Sequence, residues 1–243
     1  MLKDIQTKEL MSTEISILSL QKLVKILVQE KNITVAVCNV NSLVKADKET
    51  DFNQILNSFS LKIPDGMPLV WYLNLKKIKQ ERLNGLKIFY GIIEESLQNN
   101  ARHFFLGSSD DVLEKMAKNL KKKYPNISIS GTFSPSIGNS DQISKEVENL
   151  GYNLNASDIV WVGLGMPKQE EVIYSIKNKI TSNMIGVGAV FEWVAGTKSV
   201  APKLLQNLGL EWMYRLLQEP KRLWKRYFFD FIYLIKYNIR KIT

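Results

Sequence analysis

The apolar positions Ile17, Leu18, Leu20, Leu23, Ile26 and Leu27 recur at three- and four-residue spacing, which predicts a helix over residues 14–31. Residues 33–38 (ITVAVC) are a short β-branched run and read as a buried strand; a helical pattern over 48–59 follows. Residues 61–63 lead into the turn Pro64-Asp65-Gly66, and a helix is expected to begin near Pro68. Further along, the pattern predicts a helix over 88–100 and a strand over 103–106. Gly107-Ser108-Ser109-Asp110 then opens a helix running to 123. A strand over 127–130, a helix over 142–150 and a strand over 159–162 come next. A glycine-rich turn then leads to a helix from about 168, and a strand over 184–187. This alternation predicts an α/β fold, a Rossmann-like, mostly parallel sheet flanked by helices.

The pattern changes near Gly196, so residues 1–195 are expected to form an α/β core and residues 196–243 a C-terminal helical, basic appendage. Residues 202–219 read as one helix, and Pro220 starts the next. In that last helix Leu223, Trp224, Tyr227, Phe228, Phe231, Ile232 and Ile235 form one apolar stripe, beside Lys221, Arg222, Lys225 and Arg226. Such a cationic, aromatic-rich amphipathic helix suits an anionic membrane surface; the alternative is a core-packing helix whose arginines are merely solvated.

Charge sharpens this division. The formal net charge is +9, and residues 198–243 carry +7 of it. A cationic segment seeks an anionic partner: phospholipid, nucleic acid or a phosphorylated substrate. With 45% hydrophobic and 23% charged residues the chain is globular in composition. The single Cys38 excludes a disulfide framework and a cysteine-based zinc site, and the single His103 a multi-histidine metal centre. His103, inside the apolar run HFFL, reads as a core or edge residue. Residues 1–15 are polar, so no signal peptide is expected, and no apolar run is long enough to span a bilayer. A cytoplasmic location fits these features.

Chemistry is sought at the carboxyl ends of the strands, where doubly wound sheets bind ligands. Asn39 and Asn41 follow the first strand; their amides can bind a sugar or base, or serve as turn and cap groups. Asp65, in a tight turn before an apolar helix, can act as a general base or as a helix cap. The turn from Gly163 through Gly165 to Gln169 lets the backbone approach a ligand, and the helix start behind it favours anions. There is no D-x-D triplet and no G-x-S-x-G elbow. Arg82, Arg215, Arg222 and Arg226 are the candidates to neutralise a diphosphate.

Several ordered segments carry a family resemblance. They are Asn39-Val40-Asn41; Pro64-Asp65-Gly66-Met67-Pro68-Leu69-Val70-Trp71; Glu81-Arg82 with Gly85; and Val162-Gly163-Leu164-Gly165-Met166-Pro167-Lys168-Gln169-Glu170. Gly186-Val187-Gly188-Ala189-Val190-Phe191, Ala201-Pro202, Leu208-Gly209-Leu210-Glu211-Trp212, Arg215-Leu216 and Gln218-Glu219-Pro220-Lys221-Arg222-Leu223 continue the series. Together, over roughly residues 30–230, they resemble the WecG/TagA/CpsF family of bacterial glycosyltransferases. Val37 and Lys87 depart from the pattern, standing where many members carry Thr and Asp or Ser.

The resemblance implies an inverting hexosyl- or N-acetylhexosaminyltransferase that needs no metal or other cofactor. It would move a sugar, N-acetylmannosamine or another hexose derivative, from a UDP-sugar donor to a polyprenyl-diphosphate-linked sugar acceptor. Such enzymes work at the inner face of the bacterial plasma membrane, in building teichoic acid, capsule or exopolysaccharide. By the same resemblance Asp65 is the catalytic base, Arg215 the appendage arginine at the leaving diphosphate, and Gln169 a sugar contact. The turns at 163–169 and 186–192 are expected to form the donor pocket, with Gly163, Gly165 and Gly188 admitting the diphosphate and Glu192 accepting from a ribose hydroxyl. Asn39, Asn41, Arg82 and Arg222 complete the expected substrate contacts, and a homo-oligomer is compatible with the sequence. Two rival readings are a basic-tailed nucleic-acid-binding protein and a nucleotide-cofactor oxidoreductase. The missing full glycine fingerprint and distal acid count against the latter.

Overall fold

A computed structural model of the protein describes residues 2–240. Residue 1 of the expected core and residues 241–243 of the expected appendage lie outside it. The chain begins with strands β1 (Gln6–Leu10) and β2 (Thr13–Ile17), paired as an antiparallel hairpin, before helix α1 (Leu20–Gln29). Strand β3 (Thr34–Cys38) leads to α2 (Val40–Lys48) and α3 (Thr50–Asn57), and β4 (Leu61–Pro64) to α4 (Met67–Leu75) and α5 (Gly85–Ser96). Then follow β5 (Arg102–Leu106), α6 (Asp110–Lys123), β6 (Ser128–Phe133), α7 (Ser140–Glu148) and α8 (Gly151–Asn155). Strand β7 (Ile159–Val162), α9 (Lys168–Ile176), β8 (Asn183–Gly186) and α10 (Val190–Ala195) complete the α/β part. Three helices close the chain: α11 (Lys203–Asn207), α12 (Glu211–Gln218) and α13 (Pro220–Arg240).

Six strands form one parallel sheet in the order β4-β3-β8-β7-β5-β6. Its central strands are apolar on both faces, as buried parallel strands are. One face packs on Leu23 and Ile26 of α1, Phe89 of α5, Met116 of α6 and Phe191 of α10. The other packs on Leu43 of α2, Phe52 of α3, Val147 of α7 and Ile173 of α9. Neighbouring strands β5 and β7 thus send their chains to opposite faces, which opens a crevice at their carboxyl ends.

Caps fix several helix starts. Ser19, Asn39 and Asn84 each accept a backbone N–H three residues on, and Asn139 with Gln142 forms a reciprocal capping box. His103 is buried in β5: its Nδ1 accepts from Trp161 Nε1 at 3.0 Å and its Nε2 lies 2.8 Å from Ser96 Oγ. Burial holds the imidazole neutral, with its pKa lowered to about 4.

The structure departs from the sequence expectations at both ends. Residues 14–17 of the expected helix over 14–31 belong to strand β2. The hairpin turn puts Met11 and Ser12 at φ 50° and 56° without glycine or asparagine, so its usual sequence signal is missing. The expected helix over 202–219 is two helices, split at Gly209 with φ 74°, where Met67 Cγ would lie 2.6 Å from an added Cβ. Only a residue lacking Cβ fits that turn.

Candidate active site

Asp65 stands at the carboxyl end of β4. Its N–H donates to Cys38 O at 2.6 Å, which ties the turn to the end of β3. Gly66, at φ 92°, is the N-cap of α4, and no side chain caps that helix. The Asp65 carboxyl is therefore not spent as a cap. Burial first, and then the charge of Glu211, raise it to about 6, against Arg215, Arg82 and the Gly66 N–H.

The residues around Asp65 come from three parts of the chain. Arg82, in the loop before α5, pairs with Glu211 of α12 and donates to Gln206 O at 2.6 Å. Its Nε is buried without a partner. Arg215, one turn beyond Glu211, lies over the Trp193 ring of α10 at 5.2 Å from its centroid. The C-terminal helices thus bring an acid and an arginine to a carboxyl carried by the sheet.

A second arrangement lies at the crevice beyond β5 and β7. An open cavity of about 250 Å³ is lined by Ser108, Ser136, Gly138, Gly163, Lys168 and Glu192, among others. Gly163 packs too tightly for a side chain, with Phe191 Cδ2 2.5 Å from an added Cβ. Gly165, at φ 76°, has open space beside it. Gly188, at φ 57°, donates its N–H to Gln169 Oε1 at 2.9 Å. Gln169 is buried, and its Nε2 donates to Glu170 Oε1 at 2.9 Å. The Glu170 carboxyl is buried with Oε2 unpartnered, and burial raises it to about 7. This chain of bonds sets the β8–α10 turn from beneath.

The two arrangements are linked through α10 and the appendage. Glu192 lies 3.7 Å from Lys198 Nζ, Lys198 lies 3.2 Å from Glu219, and Glu219 pairs with Arg222. Asp65, Arg82 and Arg215 do not line the 250 Å³ cavity, whereas Glu192 does. Asn39 caps α2, its Oδ1 accepting from Ser42 N at 3.1 Å. Asn41 donates to Asp230 of α13 at 3.1 Å. Both amides carry structural bonds here. Arg222 is exposed on the first turn of α13.

Sequence reasoning assigned no role to Glu211, Glu170, Trp193 or Lys198. Both carboxylates lie within the motif segments; the partner of Glu211, Arg82, is far away in sequence, whereas Glu170 is bonded by its neighbour Gln169 and only its burial was hidden. Among the described residues, no group of three or more His, Cys, Asp or Glu side chains gathers as a metal site would require.

Comparison with known proteins places these features in context. The model of the glycosyl transferase WecG/TagA/CpsF family matches residues 8–242. An N-acetylglucosaminyldiphosphoundecaprenol N-acetyl-beta-D-mannosaminyltransferase of Bacillus subtilis is 28% identical over 200 residues, covering 82% of this chain and 76% of its own. Proteins of the same description from Bacillus spizizenii and Staphylococcus aureus are each 29% identical. They cover 82% and 79% of this chain and 76% and 74% of their own.

Proposed function

The chain belongs to the WecG/TagA/CpsF family of glycosyl transferases, and from that premise we propose that it moves a hexose derivative from a UDP-sugar to a polyprenyl-diphosphate-linked sugar. The relatives' own acceptor, a diphosphoundecaprenol-linked N-acetylglucosamine, and their N-acetylmannosaminyl group are the first candidates for this chain's substrates. The observation that carries the reading is Asp65: an uncapped carboxyl at a strand end, raised to about 6 and faced by Glu211, Arg215 and Arg82.

In this reading the Asp65 carboxylate takes the proton of the acceptor hydroxyl. The freed oxygen forms a bond to the sugar's anomeric carbon while the bond to the UDP oxygen breaks on the opposite face, so the configuration inverts. UDP leaves with the electron pair. Arg215 and Arg82 oppose the charge that grows on it, work that preorganised cations do well in a site that excludes water. The 250 Å³ crevice, walled by Gly163 and Lys168, takes part of the donor, with Glu192 facing the ribose; Gly165 and Gly188, expected to admit the diphosphate, do not line it. Gln169 supports this reading by fixing the Gly188 turn, rather than through a free amide.

The apolar and cationic face of α12 and α13 meets the membrane that carries the acceptor. Trp212, Leu217, Trp224, Phe228 and Phe231 are all exposed on it. No helix among the described residues is long and apolar enough to cross a membrane, so the reading is peripheral attachment at the cytoplasmic face.

A positioned base contributes ~10²–10⁴-fold. Asp65→Asn is expected to lower kcat by about that factor while leaving UDP affinity nearly intact, as read by UDP release and by calorimetry. Turnover at the wild-type rate would remove Asp65 from the mechanism.

A further inference from the structure

Helix α4 is an anomaly. Its sequence, MPLVWYLNL, is apolar almost all round, a composition expected of a fully buried helix. Leu69, Val70 and Leu73 do face the core. Trp71 and Leu75, one turn apart on another face, are 44% and 82% exposed. Lys76, Lys77 and Lys79 follow at once and are exposed too.

The surroundings of α4 indicate what covers this face. Its first residue, Met67, packs on Gly209 between α11 and α12. Leu204 of α11 and Leu208 just after it are exposed, at 69% and 57%. The Met67–Gly209 contact thus brings α4 up to the α11–α12 turn, and exposed lysines belong to both parts: Lys76, Lys77 and Lys79 follow α4, and Lys221 and Lys225 stand on α13. An amphipathic tryptophan and a leucine beside a lysine cluster match an anionic bilayer interface.

We propose that α4 is a second membrane-contacting element, inserting Trp71 and Leu75 beside the C-terminal helices while Lys76, Lys77 and Lys79 meet anionic headgroups. The proposal rests on the reading of α12 and α13 as membrane-facing, and it extends the contact to the core. It also gives the helix a role in the chemistry. Asp65 immediately precedes α4, and a nine-residue helix is ~13 Å long, so membrane contact through α4 holds the base within about that distance of the bilayer. An acceptor whose diphosphate and sugar project from the lipid would then be met at a set height.

The test uses the full chain with Cys38→Ala and one new cysteine bearing an environment-sensitive fluorophore. Leu75→Cys reports α4, Phe231→Cys reports α13, and the exposed Tyr152→Cys reports a remote surface. Addition of vesicles containing phosphatidylglycerol should blue-shift the emission at 75 and 231 and leave 152 unchanged. A shift at 231 without one at 75 overturns the proposal while sparing the C-terminal reading. No shift at either site overturns both. Emission at 75 that is already blue-shifted without vesicles points to a second copy on α4 and also overturns it. As an independent check, Trp71→Ser with Leu75→Ser should weaken vesicle binding about tenfold. It should leave turnover of a water-soluble, short-chain acceptor at the wild-type level. Unaltered vesicle binding in that variant would likewise refute the role of α4.

Discussion

Two buried carboxyls carry the pH behaviour of the site. Asp65, held near 6 by burial and Glu211, must be ionised to act as a base. The acid limb of kcat/KM for the wild-type protein should therefore bend near pH 6 and vanish with Asp65→Asn; a limb centred near 4 would mean that substrate-free Asp65 is not desolvated. Glu170 sits deeper, and its folded value of about 7 lies above the ordinary 4.5. Its contribution to stability is thus fully present below about pH 4.5 and is lost as pH rises through 7. Glu170→Gln keeps the oxygen that accepts from Gln169 and removes the buried charge. Thermal melting should show the variant more stable than wild type at alkaline pH, on the order of 2 kcal/mol, and nearly equal to it in mild acid. Asp65 was legible in the sequence as a choice between base and cap, and the structure gives the cap position to Gly66, leaving the carboxyl unspent. Asn39 was open between a substrate contact and a cap, and there the cap is what the structure shows.

Single elements show where periodicity succeeds and where it misleads. Five of the six parallel strands are apolar runs bounded by turns and could be read within a residue or two, whereas β6, SISGTF, ends three residues beyond the expected 127–130 because its half-exposed edge carries no apolar run. The first hairpin could not. Its outer strand, QTKEL, is polar, and its inner strand carries Ile15 and Ile17 into the helical spacing of α1. The split between α11 and α12 was hidden because one glycine inside an apolar pattern is tolerated by many helices. Here Gly209 turns the chain so that Glu211 and Arg215 reach Asp65. Gly209→Ala must strain a left-handed backbone and press on Met67 Cγ. It is expected to cut kcat at least tenfold while shifting Tm by only a few degrees. Loss of the whole fold, or unchanged kcat, would contradict this account.

For the molecule as a whole, the question is how firmly the C-terminal helices belong to the core. Nearly all fully buried apolar side chains lie between Leu10 and Ala195; Ala201 and Leu223 are the exceptions among the described residues. Helix α13 nonetheless docks on α2, through Asn41 with Asp230 and through Tyr233 Oη donating to Asp47 at 2.6 Å. Tyr237 Oη accepts from Met11 N at 3.1 Å, tying the helix to the hairpin turn as well. The appendage is therefore seated on the core without a membrane. Lys221, Arg222, Lys225 and Arg226 near an anionic surface are worth ~1 kcal/mol each before entropy costs, enough to favour binding without a spanning helix. Truncation after Gly196 should leave a folded but less stable core, with circular dichroism of an α/β protein and a lowered Tm. It should also abolish transferase activity and vesicle binding, because Glu211, Arg215 and the exposed aromatics go with it. Residual turnover of a lipid-linked acceptor would refute the role given to Arg215.

The amino-acid sequence alone determined the parallel α/β core, the uneven charge and the order of the motif segments, because each is written in residues close together along the chain. Hydrophobic period and turn chemistry are local, and so they survive in one dimension. The tertiary structure decided the rest: that Arg82 meets Glu211, that Gln169 and Glu170 brace the Gly188 turn, and that Arg215 lies over Trp193 with its charge felt by Asp65. Most of those contacts join residues many positions apart, and burial then alters what the groups are. A carboxyl that is ordinary in the sequence is raised to about 6 only when the fold takes water from it and sets another carboxylate beside it.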